Sequence, residues 1–259
     1  MKARYALILF AAGLILLGVG CGTDDDITGS QLPGNGKIAY IYEEHEEYNT
    51  PTRFKEFLDG RGYPTDLIEM EEIVPDRFSE FVLPDYSLII IDPQIGSGNN
   101  WGDSVRVALI ELVDRPVLGV GFGGVRLFTE LGLAINWYNC TEFSSNNDAF
   151  HTDISVHNTG STIIDTSDNI FKLPNEIRFR YDSLVDLHYS AALIVLDYTD
   201  PDLPDDLLYF GRQPNESSYY SLVMEDRYFL WGFAEPPEEM TDTGLNMFEN
   251  IVHYLINLE

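Results

Sequence analysis

Pro116-Val117-Leu118-Gly119-Val120-Gly121-Phe122-Gly123-Gly124-Val125-Arg126-Leu127-Phe128 reads as a buried strand, a tight glycine turn and the first turns of a helix. Four apolar positions bounded by Pro116 and a glycine cluster suit an interior strand, and small residues let a helix turn back closely on it. In a catalytic elbow built this way the residue at the tip is the nucleophile, held exposed on a strained turn at the edge of the sheet. The tip here reads as Phe122, which has no lone pair to attack with and no proton to give up.

Working outward, the flanking segments alternate in period. Lys37–Tyr42 reads as a first strand. Thr50 followed by Pro51 reads as a helix cap and proline at the first helical position, with Phe54, Phe57 and Leu58 on one stripe and Gly60 and Gly62 ending the helix. Thr65–Glu69 reads as a second strand, and Tyr86–Ile91 as a third whose run Leu88-Ile89-Ile90-Ile91 is apolar on both faces, as an interior parallel strand requires. Ser104–Val113 is expected to be helical, Pro116–Val120 a strand, and the elbow helix to run through Leu131. Such alternation predicts an α/β fold, a flavodoxin-like doubly wound and mostly parallel sheet with right-handed crossovers. After Asn136 the texture becomes short β-rich stretches at 151–157, 176–181, 191–198, 207–212, 219–225 and 228–233, which predict an antiparallel β extension within the same domain. The chain is expected to close with a helix from Thr241, with Leu245, Phe248, Val252 and Leu255 on its core stripe.

The first 20 residues read as an address. Lys2 and Arg4 precede an apolar run from Tyr5 to Val19, which is too short and wrongly flanked for a spanning helix and reads as a signal peptide. Leu17-Gly18-Val19-Gly20-Cys21 resembles a bacterial lipoprotein cleavage site, with Gly18 where such sites usually carry Leu, and the polar stretch Gly22–Gly36 suits a flexible tether. The expected organisation is therefore a signal peptide at 1–20, a lipidated Cys21 and tether at 21–36, and an α/β domain at 37–259. An exported, lipid-anchored location at the bacterial cell envelope follows. With 43 acidic against 15 basic side chains the chain carries a formal net charge of −28, which repels nucleic acid and anionic surfaces. If Cys21 carries lipid, Cys140 is left without an intrachain partner.

Ligands of open α/β sheets bind beyond the carboxyl ends of the strands, at the switch point of strand order. Three loops should meet there: Glu43-Glu44-His45-Glu46-Glu47 after the first strand, Asp92-Pro93-Gln94-Ile95-Gly96-Ser97-Gly98 after the third, and the elbow Gly121-Phe122-Gly123. This order of parts resembles the class I glutamine amidotransferase-like domain over roughly residues 36–258. In that family a glycine-bearing loop helps build the oxyanion hole, and Gly96-Ser97-Gly98 sits in the matching place. The family's G-x-C-x-G elbow is matched by Gly121-Phe122-Gly123 with the Cys replaced. Its catalytic His, often in F-H-P-E after a late strand, corresponds to Ala234 in Trp231-Gly232-Phe233-Ala234-Glu235-Pro236-Pro237. The resemblance thus implies the fold and a catalytically inactive relative, with neither nucleophile nor base.

Substitutes for the missing groups are poorly supplied. Cys140 lies well beyond the elbow helix and reads as a small residue under a loop; Ser97 has no Ser-His spacing behind it; His45, with Glu43 or Glu47, suits a solvated charged loop. Gly119-x-Gly121-x-x-Gly124 matches a dinucleotide fingerprint in form but follows the fourth strand rather than the first, so no cofactor is expected. His45, His151, His157, His188 and His253 show no zinc-binding spacing. The Asp-rich stretches around Asp165, Asp168, Asp200, Asp202, Asp205 and Asp206 lack the ordered spacing and central Gly of a calcium loop. Trp101, Trp137, Tyr138, Tyr219 and Tyr220 are the aromatic candidates for a binding face toward a protein or glycan. The expected function is non-catalytic binding or scaffolding at the envelope. The alternatives are a hydrolase of envelope glycans or peptides using carboxylates such as Glu43, Asp92 or Glu235, and a subunit of a larger complex.

Overall fold

The computed structural model describes residues 36–44, 49–75, 86–95, 101, 104–143, 160–163, 169–178, 184–189, 193–197, 203–204, 206–213 and 218–258. The segment read as signal peptide and tether, with Cys21, lies outside them apart from Gly36, as do the stretch at 151–157 and His45, Gly96, Ser97 and Gly98. Strands β1 (Lys37–Tyr42), β2 (Thr65–Glu69), β3 (Tyr86–Ile91) and β4 (Val117–Val120) alternate with helices α1 (Thr50–Gly60), α2 (Ser104–Leu112) and α3 (Gly121–Glu130). Seven further strands follow: β5 (Cys140–Phe143), β6 (Gly160–Ile163), β7 (Leu184–Asp186), β8 (Leu193–Asp197), β9 (Leu208–Arg212), β10 (Tyr219–Glu225) and β11 (Tyr228–Trp231). Helix α4 (Asp242–Ile256) closes the chain.

One sheet joins these strands in the order β2-β1-β3-β4-β11-β10-β9-β6-β7, with β5 and β8 branching from β10. From β2 to β11 every pairing is parallel, and from β11 outward every pairing is antiparallel. The first five places repeat the flavodoxin-like order, with β11 in the fifth. The mostly parallel sheet and its antiparallel extension are as the sequence implies.

Alternation along the parallel strands divides the core between the two faces. Ile38, Tyr40, Leu88, Ile90, Leu118 and Val120 point to one face and pack against Phe54 and Leu58 of α1 and Phe248 and Val252 of α4. Ala39, Ile41, Ile89, Ile91 and Val117 point to the other, against Val107 and Ile110 of α2 and Val125 and Phe128 of α3. Each of the larger aliphatic and aromatic side chains among them contributes on the order of 2 kcal/mol by leaving water. Among the described residues no helix is long and apolar enough to cross a membrane.

Four expectations are corrected. Thr50 is not the cap of α1: Asn49 holds that position without a side-chain bond, and Thr50 is buried in the first turn beside Pro51, whose missing N–H costs nothing there. Residues 176–178 form no strand, because this stretch is pinned to other elements. Ile177 N–H donates to the Phe171 carbonyl, and Asn175 bonds Glu249 and Asn250 of α4. Cys140 lies not under a loop but at the start of β5, paired with Leu196 of β8. The last antiparallel strand stops at Trp231, and Phe233 makes only an isolated bridge to Leu193.

Candidate functional site

The crevice candidates among the described residues lie near the ends of β1, β3, β4 and β11. β3 delivers Asp92, whose N–H donates to the Ile41 carbonyl of β1 (2.9 Å). The residue is 2% exposed. Oδ2 accepts from the Tyr40 hydroxyl (2.8 Å), and Oδ1 accepts from the Gln94 N–H (2.8 Å), so Asp92 closes its own turn through Pro93. Burial, reinforced by the Asp92 carboxylate, pushes the Tyr40 hydroxyl well above its ordinary pKa. Asp92 therefore pins the turn through Pro93 and Gln94, and each of its oxygens accepts a hydrogen bond from within the fold.

β4 runs into α3 without an intervening loop, and the backbone reverses at Gly121, where φ is +49°. Left-handed backbone favours glycine, which adopts it without strain, and this residue is the tip of the elbow. The tip is thus Gly121 and not Phe122. Phe122 is already within the first turn of α3, half-buried, with its ring 6.0 Å from that of Trp137. With the tip at 121, the elbow pattern falls on Gly119-Val120-Gly121-Phe122-Gly123, and the place of the nucleophile is held by a hydrogen.

What faces that hydrogen is the end of β11. A Cβ added at Gly121 would stand 2.9 Å from Ala234 Cβ, 3.1 Å from Ala234 Cα and 3.3 Å from Pro93 Cβ. The structure therefore brings together Gly121, Ala234 and the Asp92–Pro93 turn, three of the parts expected to meet. Gly123 completes the contact: its N–H donates to the Pro93 carbonyl (3.0 Å), and any Cβ there would run into the Asp92 carbonyl oxygen. Gly119 and Gly124 lie backbone to backbone where β4 crosses α3. The fingerprint-like glycines are thus consumed by strand–helix packing.

The remaining candidates are more dispersed. Glu43 lines a recess of about 210 Å³ with Tyr42, Glu44, Glu69, Met70 and Glu71 at the ends of β1 and β2. There the Tyr42 hydroxyl donates to Glu69 (3.2 Å), and burial followed by the Glu69 charge raises its pKa. Gln94 contributes its backbone to the Asp92 turn, and Glu235 follows Ala234 half-exposed. Among the described residues no three His, Cys, Asp or Glu side chains are grouped to hold a metal ion. The Cys140 thiol is pushed far above its ordinary pKa by burial, with Asp197 adding to it, and is no ready nucleophile.

Two residues to which sequence reasoning gave no role frame the end of β11. Pro93 walls the tip. His188 is 1% exposed and stacks on Phe233 (centroids 4.7 Å apart, 18° between planes), with Trp231 at 5.8 Å. Among the described residues neither ring nitrogen of His188 finds a hydrogen-bond partner, and burial lowers its pKa to about 3. No spacing rule marks such a histidine, since its environment comes from strands remote in sequence.

No protein-family model matches the chain, and none of the curated proteins does. Among solved structures it is similar to the glutaminase domain of Trypanosoma brucei CTP synthase, solved with acivicin bound, at 11% identity and TM-score 0.54 over 84% of this chain and 92% of that one. It is also similar to a GMP synthase component from Thermoplasma acidophilum (14%, TM-score 0.46, 83% and 92%) and to a glutamine amidotransferase from Methylobacillus flagellatus (15%, 0.42, 77% and 69%). The fold, a flavodoxin-type sheet with antiparallel strands added, is amidotransferase-like.

Proposed function

We propose that this chain is an exported, lipid-anchored protein whose amidotransferase-like domain has given up catalysis and serves binding or scaffolding at the cell envelope. The observation that carries the loss of catalysis is the pairing of Gly121 with Ala234. Acyl transfer through a covalent intermediate needs a thiol or hydroxyl at the elbow and a base within hydrogen-bond reach of it. The elbow tip here offers a hydrogen, the residue facing it a methyl group, and a side chain at the tip would press on Ala234 and Pro93. Asp92, the carboxylate of the turn that walls this tip, is buried with both oxygens engaged. The anchor is supported by Lys2, Arg4, the apolar run to Val19 and Cys21.

Ammonia release from glutamine tests the catalytic half. The purified protein is expected to release none. Gly121→Cys is expected to stay silent and to lower stability by about 1–3 kcal/mol, since it puts a side chain on left-handed backbone and against Ala234. Measurable turnover by the unmodified protein would overturn the proposal. Membrane fractionation of Cys21→Ser tests the anchor, which fails if the variant stays with the membrane as the parent does.

A further inference from the structure

A wide hollow lies away from the elbow, beside β7, the last strand of the sheet. It has a volume of about 720 Å³ and opens between residues 176–178, β7 and the first turns of α4. That size is ordinary for a small-molecule site, but such sites are usually walled by apolar groups. Here the walls carry Arg178, Asp186, Asp242 and Asn246, with Tyr189 and Leu184 as the apolar surfaces.

Each of these features narrows the ligand. Carboxylates only accept, the guanidinium only donates, and an amide does both, so together they suit groups that also do both, which is what hydroxyls are. Tyr189 is 68% exposed and Leu184 57%, a ring and an aliphatic face left uncovered beside the polar groups. The flat C–H face of a pyranose packs on such a surface while its hydroxyls reach the rim. Charge removes the alternatives. Glu176 is paired with Arg178 at 2.9 Å, which leaves Asp186 and Asp242, among the described residues, as the negative walls in a chain of net charge −28. A phosphate, a carboxylate or an acidic sugar would be repelled.

The hollow is also preformed. The Thr241 hydroxyl donates to the Asp186 carbonyl (2.6 Å) and accepts from the Gly244 N–H (3.0 Å), so one side chain fixes the start of α4 to the end of β7. The Tyr189 N–H donates to the Glu239 carbonyl (2.8 Å), which holds the backbone beneath the exposed ring. A site that is already ordered loses less on binding.

We propose that this groove is a binding site for a neutral oligosaccharide, with Tyr189 as its stacking platform and Asp186, Asp242 and Asn246 as its hydroxyl partners. No residue of the elbow lines it, so the site would survive a demonstration that the chain hydrolyses glutamine.

Calorimetric titration of the full chain with cellohexaose, maltohexaose and chitohexaose tests it. At least one should bind with Kd between about 10 µM and 1 mM. Tyr189→Ala should weaken that binding about tenfold by removing the stacked ring, and Asn246→Ala should weaken it severalfold. Leu112→Ala, which removes an apolar side chain that is 71% exposed elsewhere on the surface, should leave it unchanged. Unchanged thermal midpoints would show that the variants are folded. No heat from any of the three sugars up to about 5 mM would overturn the proposal. So would binding that survives Tyr189→Ala, or that Leu112→Ala weakens equally.

Discussion

Gly123 sits where the first turn of α3 passes over the Asp92 carbonyl, so close that no Cβ can be placed between them. Gly60, the last residue of α1, has nothing within 4 Å of where its Cβ would go. Gly123→Ala is expected to cost about 2–4 kcal/mol, because either the helix or the Asp92 turn must move and the Pro93 carbonyl loses its donor. Gly60→Ala is expected to be neutral or to stabilise by about 0.5 kcal/mol through the unfolded chain. Urea midpoints of the two variants measure the difference, and equal midpoints would contradict the packing described. The same scale explains why the elbow tip lies one residue before the position that the pattern implies. Sequence pattern locates a strand–glycine–helix junction well, but the tip is wherever φ turns positive, and Gly121 and Gly123 both permit that. The backbone reverses at Gly121, which sends Phe122 into the helix rather than into the crevice.

Helix α4 begins at a side chain that is legible in the sequence. Thr241 caps it, its hydroxyl accepting from the Gly244 N–H, and Asp242 adds a negative charge to the first turn. Thr241→Ala should lower stability by about 1 kcal/mol or somewhat more, since the bond to the Asp186 carbonyl is lost as well, and Thr241→Ser should retain most of it. Thermal midpoints decide this, and a serine variant as weak as the alanine one would count against the cap. Elements like α4, β1 and β3 can be read because their own residues carry the signal: a 3.6-residue stripe, or β-branched runs apolar on both faces. β5 and β7 cannot. Cys140-Thr141-Glu142-Phe143 and Leu184-Val185-Asp186 are short, half-polar, and strands only by virtue of β8 and β6 beside them. For the same reason the elbow loops can be assigned to one end of the sheet from sequence, whereas the groove beside β7 cannot be anticipated at all. Its walls come from segments some 50 residues or more apart, joined by a threonine whose second bond no pattern announces.

At the scale of the whole molecule, acid stability is set by which groups refuse protons when folded. With 43 acidic residues, the chain sheds repulsion as carboxylates titrate, and the Glu225 carboxyl, raised chiefly by burial, takes up its proton early and so gains on acidification. His188 pulls the other way. Unfolded, its imidazole takes a proton as pH falls through about 6.5, whereas in the core, against Phe233 and Trp231, it does so only near about 3. A folded pKa below the unfolded one means that the unfolded state binds the extra proton between those values. The contribution is therefore complete above pH 6.5 and is lost progressively toward pH 3, at up to about 1.4 kcal/mol per pH unit. His188→Phe keeps a flat ring against Phe233 and removes two nitrogens that have no partners among the described residues. It should be at least as stable as the parent at pH 7, since buried polar atoms without partners cost rather than contribute. Its urea midpoint should also fall more gently than the parent's between about pH 6.5 and pH 4, the gap between the two profiles widening as the acid limb steepens. Profiles that stay parallel across that range would mean that the imidazole exchanges its proton with solvent in the folded state, and that the core around the end of β11 is open rather than closed.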